Sequence, residues 1–210
     1  MYSPTHFDEP RIDRLHELMR AQPLATLVTL SSHGINADHL PLHLSETSGS
    51  LGALRGHVAR ANPIRRNLVE NAEVLAIFQG SDAYITPSWY ATKAETGKVV
   101  PTWNYVVVHA YGTLRFIDDA AWLRAHLEAL VDHNESAFES PWRLSDAPPD
   151  YIEQLLGAVA GIEIAITRLA GKWKISQNQP SENQAGVIGG LRERGTAKAL
   201  DMADLIERAN

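Results

Sequence analysis

Residues 96–111, Thr-Gly-Lys-Val-Val-Pro-Thr-Trp-Asn-Tyr-Val-Val-Val-His-Ala-Tyr, decide how this chain can fold. The run Val99–Tyr111 is rich in β-branched and aromatic residues, which predicts a long strand. Thr102 and Asn104 interrupt this apolar run on either side of Trp103. A buried hydroxyl or amide without a partner costs about 2–7 kcal/mol. These side chains therefore predict a turn, a second subunit or a polar ligand beside the strand.

A second polar and aromatic segment precedes this strand. Tyr84–Tyr90 reads Tyr-Ile-Thr-Pro-Ser-Trp-Tyr and carries the same mixture of hydroxyl groups and rings. Together the two segments predict one wall of a site for a flat molecule that forms hydrogen bonds. Tryptophan and tyrosine are also enriched at wet subunit interfaces, so the same composition can indicate a dimer contact. Both interpretations hold if a ligand lies between two subunits.

Length and composition restrict the class of protein. The 210 residues suit one domain, or one domain with a helical appendage. The net charge of −6 argues against a surface that binds nucleic acid throughout, but it does not exclude a local basic patch. The absence of cysteine excludes disulfides, thiolate metal sites and a cysteine nucleophile. The first residues lack the basic and apolar regions of a signal peptide, and no apolar run is long enough to cross a bilayer. We therefore expect a cytoplasmic protein with no membrane partner.

The pattern of apolar residues predicts a mainly antiparallel β protein. Strands are expected at 24–30, 35–44, 51–57, 74–78, 99–111, 161–168 and 172–176. Helices are expected at 8–20, 62–71, 118–133 and 151–158, and in the tail from 185 to 210. A flat sheet of so many strands would expose its edges, which favours an α+β fold with a closed or partly closed antiparallel β-barrel and peripheral helices. We expect residues 1–180 to form the barrel domain and residues 181–210 a C-terminal helical appendage packed on it.

Four groups of residues could carry chemistry, and the first is Ala37–His43. Asp38, His39 and His43 alternate with apolar residues on a predicted strand, but they do not all face the same side. A metal site would need a third and usually a fourth ligand on a rigid scaffold. Pro41 removes a backbone donor, so we expect an edge strand or a bulge here. Backbone groups near Asp38 and His39 would then be available to a ligand.

The second group, Leu54–Pro63, is a strand with a glycine that leads through a basic loop into a helix start. Free backbone amides, the positive end of a helix dipole and a cation together predict a phosphate site. Arg60 and His57 are the expected contacts, because arginine suits the bidentate geometry of phosphate. Alternatively, Arg60 is a surface charge and Asn62 only caps the helix. Arg65 is expected to be a solvated helix residue.

The third group is the pair of polar and aromatic segments already described. The fourth, Gly171–Asn178, places Lys174 on an alternating strand and Gln177 and Asn178 at its end. Glutamine and asparagine supply both donors and acceptors, although an ordinary amphipathic strand with a polar turn has the same pattern.

The sequence contains no Gly-x-Ser-x-Gly elbow, no Walker motif and no dinucleotide-binding glycine pattern. No pairing of a nucleophile with a base can be recognised.

These groups belong to longer sequence motifs that follow one another along nearly the whole chain. The motifs are Met1–Phe7, Arg55–Pro63, Ala83–Tyr90, Gly97–Tyr105, Val108–Gly112, Gly171–Asn178 and Gly186–Ile188. In this order they resemble the PaiB family, described as FMN-binding negative transcriptional regulators. Several long motifs in the same order as in the family identify a relative far more specifically than one short motif does.

The resemblance implies an FMN-binding split β-barrel, related in architecture to pyridoxamine phosphate oxidases and flavin reductases, that forms a homodimer with FMN at the subunit interface. It also implies a negative transcriptional regulator that acts as a flavin-linked sensor or repressor. His57, Arg60 and Asn62 would hold the phosphate, and the strand with Asp38 and His39 would lie along the isoalloxazine. The remaining contacts, from the second subunit, would be Thr102, Trp103, Asn104, Lys174, Gln177 and Asn178.

Three residues depart from the pattern of the family. The family tends to carry Arg after the Ser-Gln-Asn motif and Asp-Arg before the Gly-Val-Ile motif. This chain has Gln179 at the first place and Asn183 and Gln184 at the second. A charge network expected near the edge of the cofactor is therefore neutral. If those charges contact the phosphate in the family, we expect weaker binding of FMN by this chain.

Three other functions have to be weighed against a flavin-linked regulator. A flavin-dependent oxidoreductase of the same barrel type would leave the chemistry to the flavin. A haem site would use His39 or His109 as ligand. Direct DNA binding through the tail at 190–200 is expected to be weak, because acidic residues lie in and after this segment. Regulation of transcription would then be indirect, through a partner or a metabolite.

Overall fold

The strands of this protein join into one sheet, mainly antiparallel. The computed structural model describes residues 1–46, 49–69 and 72–209. Its strands within these ranges are β1 (Asp8–Glu9), β2 (Leu24–Ser31), β3 (Gly34–Pro41), β4 (His43–Ser45), β5 (Ala53–Ala59), β6 (Glu73–Ile85), β7 (Thr102–Ile117) and β8 (Val159–Lys174). Its helices are α1 (Ile12–Ala21), α2 (Ile64–Asn67), α3 (Lys93–Thr96), α4 (Ala120–Glu135), α5 (Pro149–Ala158), α6 (Ser181–Arg194) and α7 (Ala197–Glu207).

The order of the strands explains why the barrel is split. Hydrogen-bonded neighbours follow the path β3-β2-β6-β7-β8-β5-β4, and β1 pairs with β8 off this path. Within the described residues, β3 and β4 end the path without pairing with each other, so the sheet is not closed. The predicted α+β fold, a split antiparallel β-barrel with peripheral helices, is confirmed, and of the closed and partly closed barrels that were considered, it is not the closed one.

The chain divides into two compact units. The first unit comprises Met1–Leu18, Phe78–His109 and Ala170–Asn210, and the second comprises Met19–Ile77 and Ala110–Leu169. The second unit has a core that includes Leu27, Leu54, Ile162 and Ile164, all almost fully buried. The first unit has its own core, which includes Phe78, Ile85, Leu191, Met202 and Ile206. The predicted division at residue 180 stays a prediction.

One expected break in the sheet is wrong. Residues 161–168 and 172–176 were expected as separate strands around Gly171, but β8 runs through this glycine without interruption. A Cβ atom at Gly171 would lie 2.3 Å from Leu15 Cδ2 and 2.8 Å from the backbone oxygen of Glu9. The glycine is therefore needed for the close approach of α1 and β1, which no local pattern indicates.

The expected start of the first helix is also wrong. Asp8 does not cap α1, because Asp8 and Glu9 pair with Lys172 and Gly171 of β8 as strand β1. The helix begins at Ile12 instead. The helix expected at 62–71 is confined to α2, a single turn, and its last two residues lie outside the described ranges. Among the described residues, no helix is long and apolar enough to span a membrane.

Candidate functional site

Two of the predicted contacts, Asp38 and Asn62, lie together in the second unit. The Asp38 carboxylate accepts hydrogen bonds from Asn36 Nδ2 at 2.7 Å and from Asn62 Nδ2 at 3.5 Å. The Asn62 Oδ1 accepts from the backbone N–H of Ile64, the first residue of α2, at 2.9 Å, whereas the N-cap position itself is occupied by Pro63. His39 is exposed on β3, which ends the strand path.

Arg60 is held by protein groups on both edges of its guanidinium. Its Nε donates to the backbone oxygen of Gly157 at 2.9 Å, and its Nη1 donates to Asp118 Oδ1 at 2.6 Å. Arg65 contacts the same carboxylate, with Nη1 2.8 Å from Oδ1 and with Nη2 on Oδ2. Hydrogen bonds from Arg65 and then Arg60 lower the pKa of Asp118 to about 2. The positive feature of this loop is therefore a pair of arginines around one aspartate.

The helix that follows this loop adds little positive potential. α2 spans only Ile64–Asn67, and a macrodipole needs many aligned peptide units. The predicted phosphate site depended on the positive end of a longer helix. The guanidinium groups of Arg60 and Arg65 have to supply most of the attraction for an anion.

His57 contacts a residue that the sequence analysis did not consider. Its Nδ1 lies 3.4 Å from Nε2 of His126 on α4, and the hydrogen-bond roles depend on the tautomers. Burial lowers the pKa of His57. Burial, followed by the nearby His57 and His43, lowers the pKa of His126 to about 4. Both rings are therefore neutral near pH 7, and His57 can offer a ligand a hydrogen bond but no positive charge.

Trp122 anchors the same face of α4 on the sheet. A Cβ atom at Gly161, which pairs with His57 in the sheet, would lie 2.5 Å from Trp122 Cζ3. The Trp122 and His126 rings stack with centroids 5.3 Å apart, and the Arg55 guanidinium lies 5.8 Å from a Trp122 ring centroid. A glycine on β8 thus creates the notch into which α4 packs.

In the first unit, Lys174 is brought together with Thr102 and Trp103. Its Nζ donates to Thr102 Oγ1 and, at 2.9 Å, to the backbone oxygen of Trp103. The Nζ also lies 5.9 Å from the centroid of the Phe7 ring. Burial lowers the pKa of Lys174. A partly desolvated ammonium is thus placed at the polar start of β7.

Asn104 is buried beside the end of β8 and lacks one partner. Its side-chain Nδ2 donates to Ser176 Oγ at 2.8 Å, while its Oδ1 is buried and has no hydrogen-bond partner among residues 1–46, 49–69 and 72–209. Ser176 has a φ of 64°, in the left-handed region that favours glycine. An unpaired buried acceptor and a strained backbone both have a free-energy cost, and such features concentrate at functional sites.

The two amide residues at the end of β8 have different environments. Gln177 folds back on its own strand, with Oε1 accepting from Ile175 N at 2.8 Å and Nε2 donating to the Trp173 oxygen at 2.5 Å. These bonds satisfy backbone groups where β8 ends. Asn178 is exposed in the turn that follows. Gln177 therefore shapes the turn, whereas Asn178 is accessible from solvent.

An exposed aromatic pair lies in the same unit. The Trp103 and Tyr84 rings meet edge to face, with centroids 5.8 Å apart. Trp103 is 53 % exposed and Tyr84 is 40 % exposed. Both rings come from the polar and aromatic segments that the sequence analysis identified. The flat face of a large aromatic side chain is therefore available beside Lys174.

The three departures from the family pattern form an amide network. Asn183 Oδ1 accepts from the Thr92 backbone N–H at 3.1 Å, and its Nδ2 donates to Gln179 Oε1 at 3.1 Å. Gln184 Nε2 donates to the backbone oxygens of Gln179 at 2.9 Å and Ser176 at 3.2 Å. These amides tie the turn after β8 to α6 and to the segment before α3.

Several residues that contact the predicted site residues were not predicted from the sequence. Arg65 was expected to be solvated, and Asp118, Trp122 and His126 were not considered as site residues. For the last two a signal existed, because Trp122, His126 and His133 recur on one face of the predicted helix. No such spacing links Asp118 to the arginines, which lie 58 and 53 positions away.

Comparison with known proteins identifies the family. Residues 1–168 match a family model described as "putative FMN-binding domain". The chain is 37 % identical over 241 aligned residues to an uncharacterized protein of Emericella nidulans, covering 98 % of this chain and 96 % of that protein. It is 29 % identical over 207 residues to the protease synthase and sporulation protein PAI 2 of Bacillus subtilis, covering 99 % and 97 %.

A solved structure supports the fold. The FAD and heme binding protein from Mycobacterium smegmatis superposes with a TM-score of 0.61 at 18 % identity, over 87 % of this chain and 80 % of that one. At this identity the likeness concerns the fold alone. The sequence matches extend over most of the chain and over nearly the full length of two relatives. The chain therefore belongs to the PaiB-like family of FMN-binding domains.

Proposed function

We propose that this protein is a homodimeric FMN-binding transcriptional regulator of the PaiB type, which acts as a flavin-linked sensor or repressor. The observation that carries the proposal is the polar and aromatic cluster at the start of β7. There, Trp103 exposes its ring, Lys174 is partly desolvated, and the buried Asn104 Oδ1 has no hydrogen-bond partner in the part of the chain that the structure describes. A flat ring system with hydrogen-bonding groups along its edges suits this combination of side chains.

The residues present also fit the phosphate of FMN. Arg60, on the loop after β5, and Arg65, on α2, form a cationic pair around Asp118. Arginine binds phosphate oxygens in a bidentate manner. Asn62 and the neutral His57 would add hydrogen bonds. Arg60 would keep its place through its bond to the Gly157 oxygen, whichever anion binds the opposite edge.

The ring of the cofactor would contact side chains from two subunits. One subunit would contribute the exposed strand β3 with Asp38 and His39. Its partner would contribute Thr102, Trp103, Asn104, Lys174 and Asn178, with Gln177 holding the turn between them. When bound, FMN supplies redox chemistry, and the protein determines its access and electrostatics. The side chains of this site would orient the ring and exclude water from one of its faces.

An exposed apolar surface on β2 and β3 supports the dimer. Leu30, 45 % exposed, lies directly opposite Ile35, which is 81 % exposed, and Leu24, 65 % exposed, lies at the other end of β2. Apolar side chains on a strand that ends a sheet favour association with another chain. A second copy would cover these residues and bring the two groups of cofactor contacts together.

The first experiment is an FMN titration of the purified protein, monitored by flavin fluorescence, together with its absorption spectrum and its mass in solution. We expect flavin bands or saturable binding below about 50 μM, and the mass of a dimer. A monomer without flavin that shows no binding in this range would contradict the proposal. Reduction of the bound flavin by NADH or NADPH would favour an oxidoreductase instead of a sensor. A tight, sequence-selective gel shift would contradict indirect regulation.

Mixed dimers test whether both subunits complete each site. Arg60→Gln and Trp103→Ala are produced with different affinity tags and coexpressed, and the mixed dimer is isolated. If Arg60 of one subunit and Trp103 of the other serve the same FMN, one site in the mixed dimer carries both changes and the other carries neither. We then expect half of the sites to bind with wild-type affinity. Uniformly weakened binding would mean that both residues act within one subunit.

A further inference from the structure

One carboxylate holds both arginines of the candidate phosphate site. Asp118 accepts from Arg60 Nη1 at 2.6 Å through Oδ1, and from Arg65 through both of its oxygens. Arg60 is fixed on its other edge, where Nε donates to the Gly157 oxygen and the backbone N–H donates to the Ala158 oxygen. The two guanidinium groups thus converge on one anion, and in this structure that anion belongs to the protein.

The geometry of this cluster is that of an anion-binding site. Arg65 is further oriented by Phe116, whose ring centroid lies 5.7 Å from the guanidinium carbon. Arginine forks match the oxygen spacing of carboxylates and phosphates equally well. A phosphate monoester offers three oxygens and a charge of about −1.5 to −2 at pH 7, against one negative charge on Asp118. The same two side chains could therefore hold a phosphate more strongly than the aspartate.

Asp118 is exposed, so a competing anion can reach it. Its side chain is 49 % exposed, and those of Arg60 and Arg65 are 39 % and 36 % exposed. Exposed ion pairs contribute little to stability because water and salt screen them. The pKa of Asp118 is about 2, so a change of pH within the physiological range does not release the arginines. Release depends on another anion.

The aspartate can also leave without disturbing the helix that follows. The N-cap of α4 is Asp119, whose side chain accepts from Trp122 N at 2.8 Å. Asp118 precedes this cap, and its side-chain hydrogen bonds within the described residues go to Arg60 and Arg65, not to α4. A rotation of the Asp118 side chain therefore costs only its contacts with the two arginines.

From these contacts we propose that Asp118 is an internal competitor for the phosphate of FMN, and that Arg65 is a phosphate-binding residue together with Arg60. The inference rests on the proposed function, because it assumes that the flavin phosphate binds at these arginines. FMN has to displace the aspartate, so part of its binding free energy is used to break the existing ion pairs. The competitor thereby sets the affinity for phosphorylated flavin and leaves that for riboflavin unaffected.

The test compares FMN with riboflavin in fluorescence titrations of Asp118→Asn. The matched control is Asp119→Asn, which removes the same charge one residue away and retains a side chain that caps helices. We expect Asp118→Asn to bind FMN about fivefold to tenfold more tightly, with riboflavin affinity unchanged. Asp119→Asn should stay within about twofold of wild type for both ligands. Arg65→Met should reduce the preference for FMN over riboflavin.

A second measurement does not depend on flavin. Inorganic phosphate should raise the thermal unfolding midpoint of Asp118→Asn more than that of the wild type, because ligands stabilise the state to which they bind. The midpoints without phosphate show whether each variant is folded.

The outcomes separate this inference from the proposed function. If Arg60→Gln abolishes a preference for FMN but Asp118→Asn leaves affinity unchanged or lowers it, the competitor role is wrong and the phosphate site stands. If the wild type binds FMN and riboflavin equally, the phosphate site itself is wrong, and the competitor role fails with it.

Discussion

The Nδ1 atom of His57 lies 3.4 Å from the Nε2 atom of His126, in the contact between β5 and α4. Only 5 % of the surface of His126 is exposed. Two protonated rings at this distance would repel each other, and each would lose solvation on burial. The contact therefore requires neutral histidines, which makes the docking of α4 sensitive to acid.

The first prediction is a loss of stability as the pH falls below the ordinary pKa of histidine. Burial lowers the pKa of His126 from 6.5 to about 4. The unfolded chain therefore takes up a proton near pH 6.5, whereas the folded protein does not until about pH 4. Stability is full above pH 6.5 and declines between these values. Between pH 6.5 and about 4.5, His126 alone should cost roughly 2–3 kcal/mol.

Urea unfolding at pH 6.5 and at about pH 4.5 measures this loss of unfolding free energy. In His126→Leu the loss of unfolding free energy on acidification should be smaller than in the wild type by that amount. The control is His33→Gln, at an exposed turn between β2 and β3, which should behave as the wild type does. Parallel pH profiles for wild type and His126→Leu would show that this histidine does not make the contact sensitive to acid.

The second prediction concerns the packing of α6 on Trp89. A Cβ atom at Gly190 would lie 2.2 Å from Trp89 Cε2, whereas a Cβ atom at Gly189 would meet nothing within 4 Å. Gly190→Ala should therefore destabilise the protein by about 1–3 kcal/mol through overpacking. Gly189→Ala is the matched control, and it should stabilise by roughly 0.5–1 kcal/mol because alanine favours helices over glycine. Thermal or urea unfolding measures the change in stability of each variant. Equal changes for Gly190→Ala and Gly189→Ala would contradict the close packing of α6 on Trp89.

The success of the sequence analysis followed the range of the interactions. Alternation at Ile162 and Ile164 predicted a strand, and both side chains are fully buried in β8. Such a pattern depends only on one-sided burial, which neighbours along the chain reveal. The role of Gly171 depends on Leu15 and Glu9, far away in sequence. A glycine required by a distant neighbour looks the same as a glycine that ends a strand.

The same distinction applies to the candidate site. Thr102 and Trp103 were predicted in one group and Lys174 in another, and the family resemblance implied that all three contact the cofactor; Lys174 does donate hydrogen bonds to the other two. Thr102 and Lys174 each had a local signal, a polar side chain beside aromatic residues in a predicted strand. The contact between His57 and His126 joins residues 69 positions apart. Charge complementarity and ring pairing across such distances carry no periodicity, so the fold has to be known before these partners can be recognised.

The third prediction tests whether an amide pair replaces an ion pair. Asn183 Nδ2 donates to Gln179 Oε1 at 3.1 Å, and Asn183 is almost fully buried. Asn183→Asp alone would bury a carboxylate without a cation, and Gln179→Arg alone would add a cation without a carboxylate. Each should destabilise by roughly 1–3 kcal/mol.

The double variant should recover part of that loss. A double-mutant cycle in urea is expected to give a favourable coupling of about 1 kcal/mol or more. The reference is a cycle that pairs Gln179→Arg with the exposed Glu193→Gln, where no coupling is expected. Additive effects of Asn183→Asp and Gln179→Arg would mean that the two positions do not form a unit.

The last prediction separates recognition of the flavin ring from recognition of its phosphate. Trp103 is 53 % exposed beside Lys174, and stacking on an aromatic side chain contributes about 1–3 kcal/mol per base-like ring. Trp103→Ala should therefore weaken FMN and riboflavin alike, by about tenfold. Trp142→Ala is the control, because this tryptophan is also exposed, at 43 %, and is not among the proposed contacts of the cofactor. It should leave both affinities unchanged.

The comparison of two ligands gives this prediction its force. A residue that contacts the ring changes both affinities equally, whereas a residue that contacts the phosphate changes only that of FMN. Trp103→Ala should thus weaken the binding of both FMN and riboflavin, whereas Arg65→Met should weaken only the binding of FMN. A Trp103 variant that loses FMN but keeps riboflavin would place the tryptophan near the phosphate. A variant with both affinities intact would remove the aromatic wall from the cofactor site altogether.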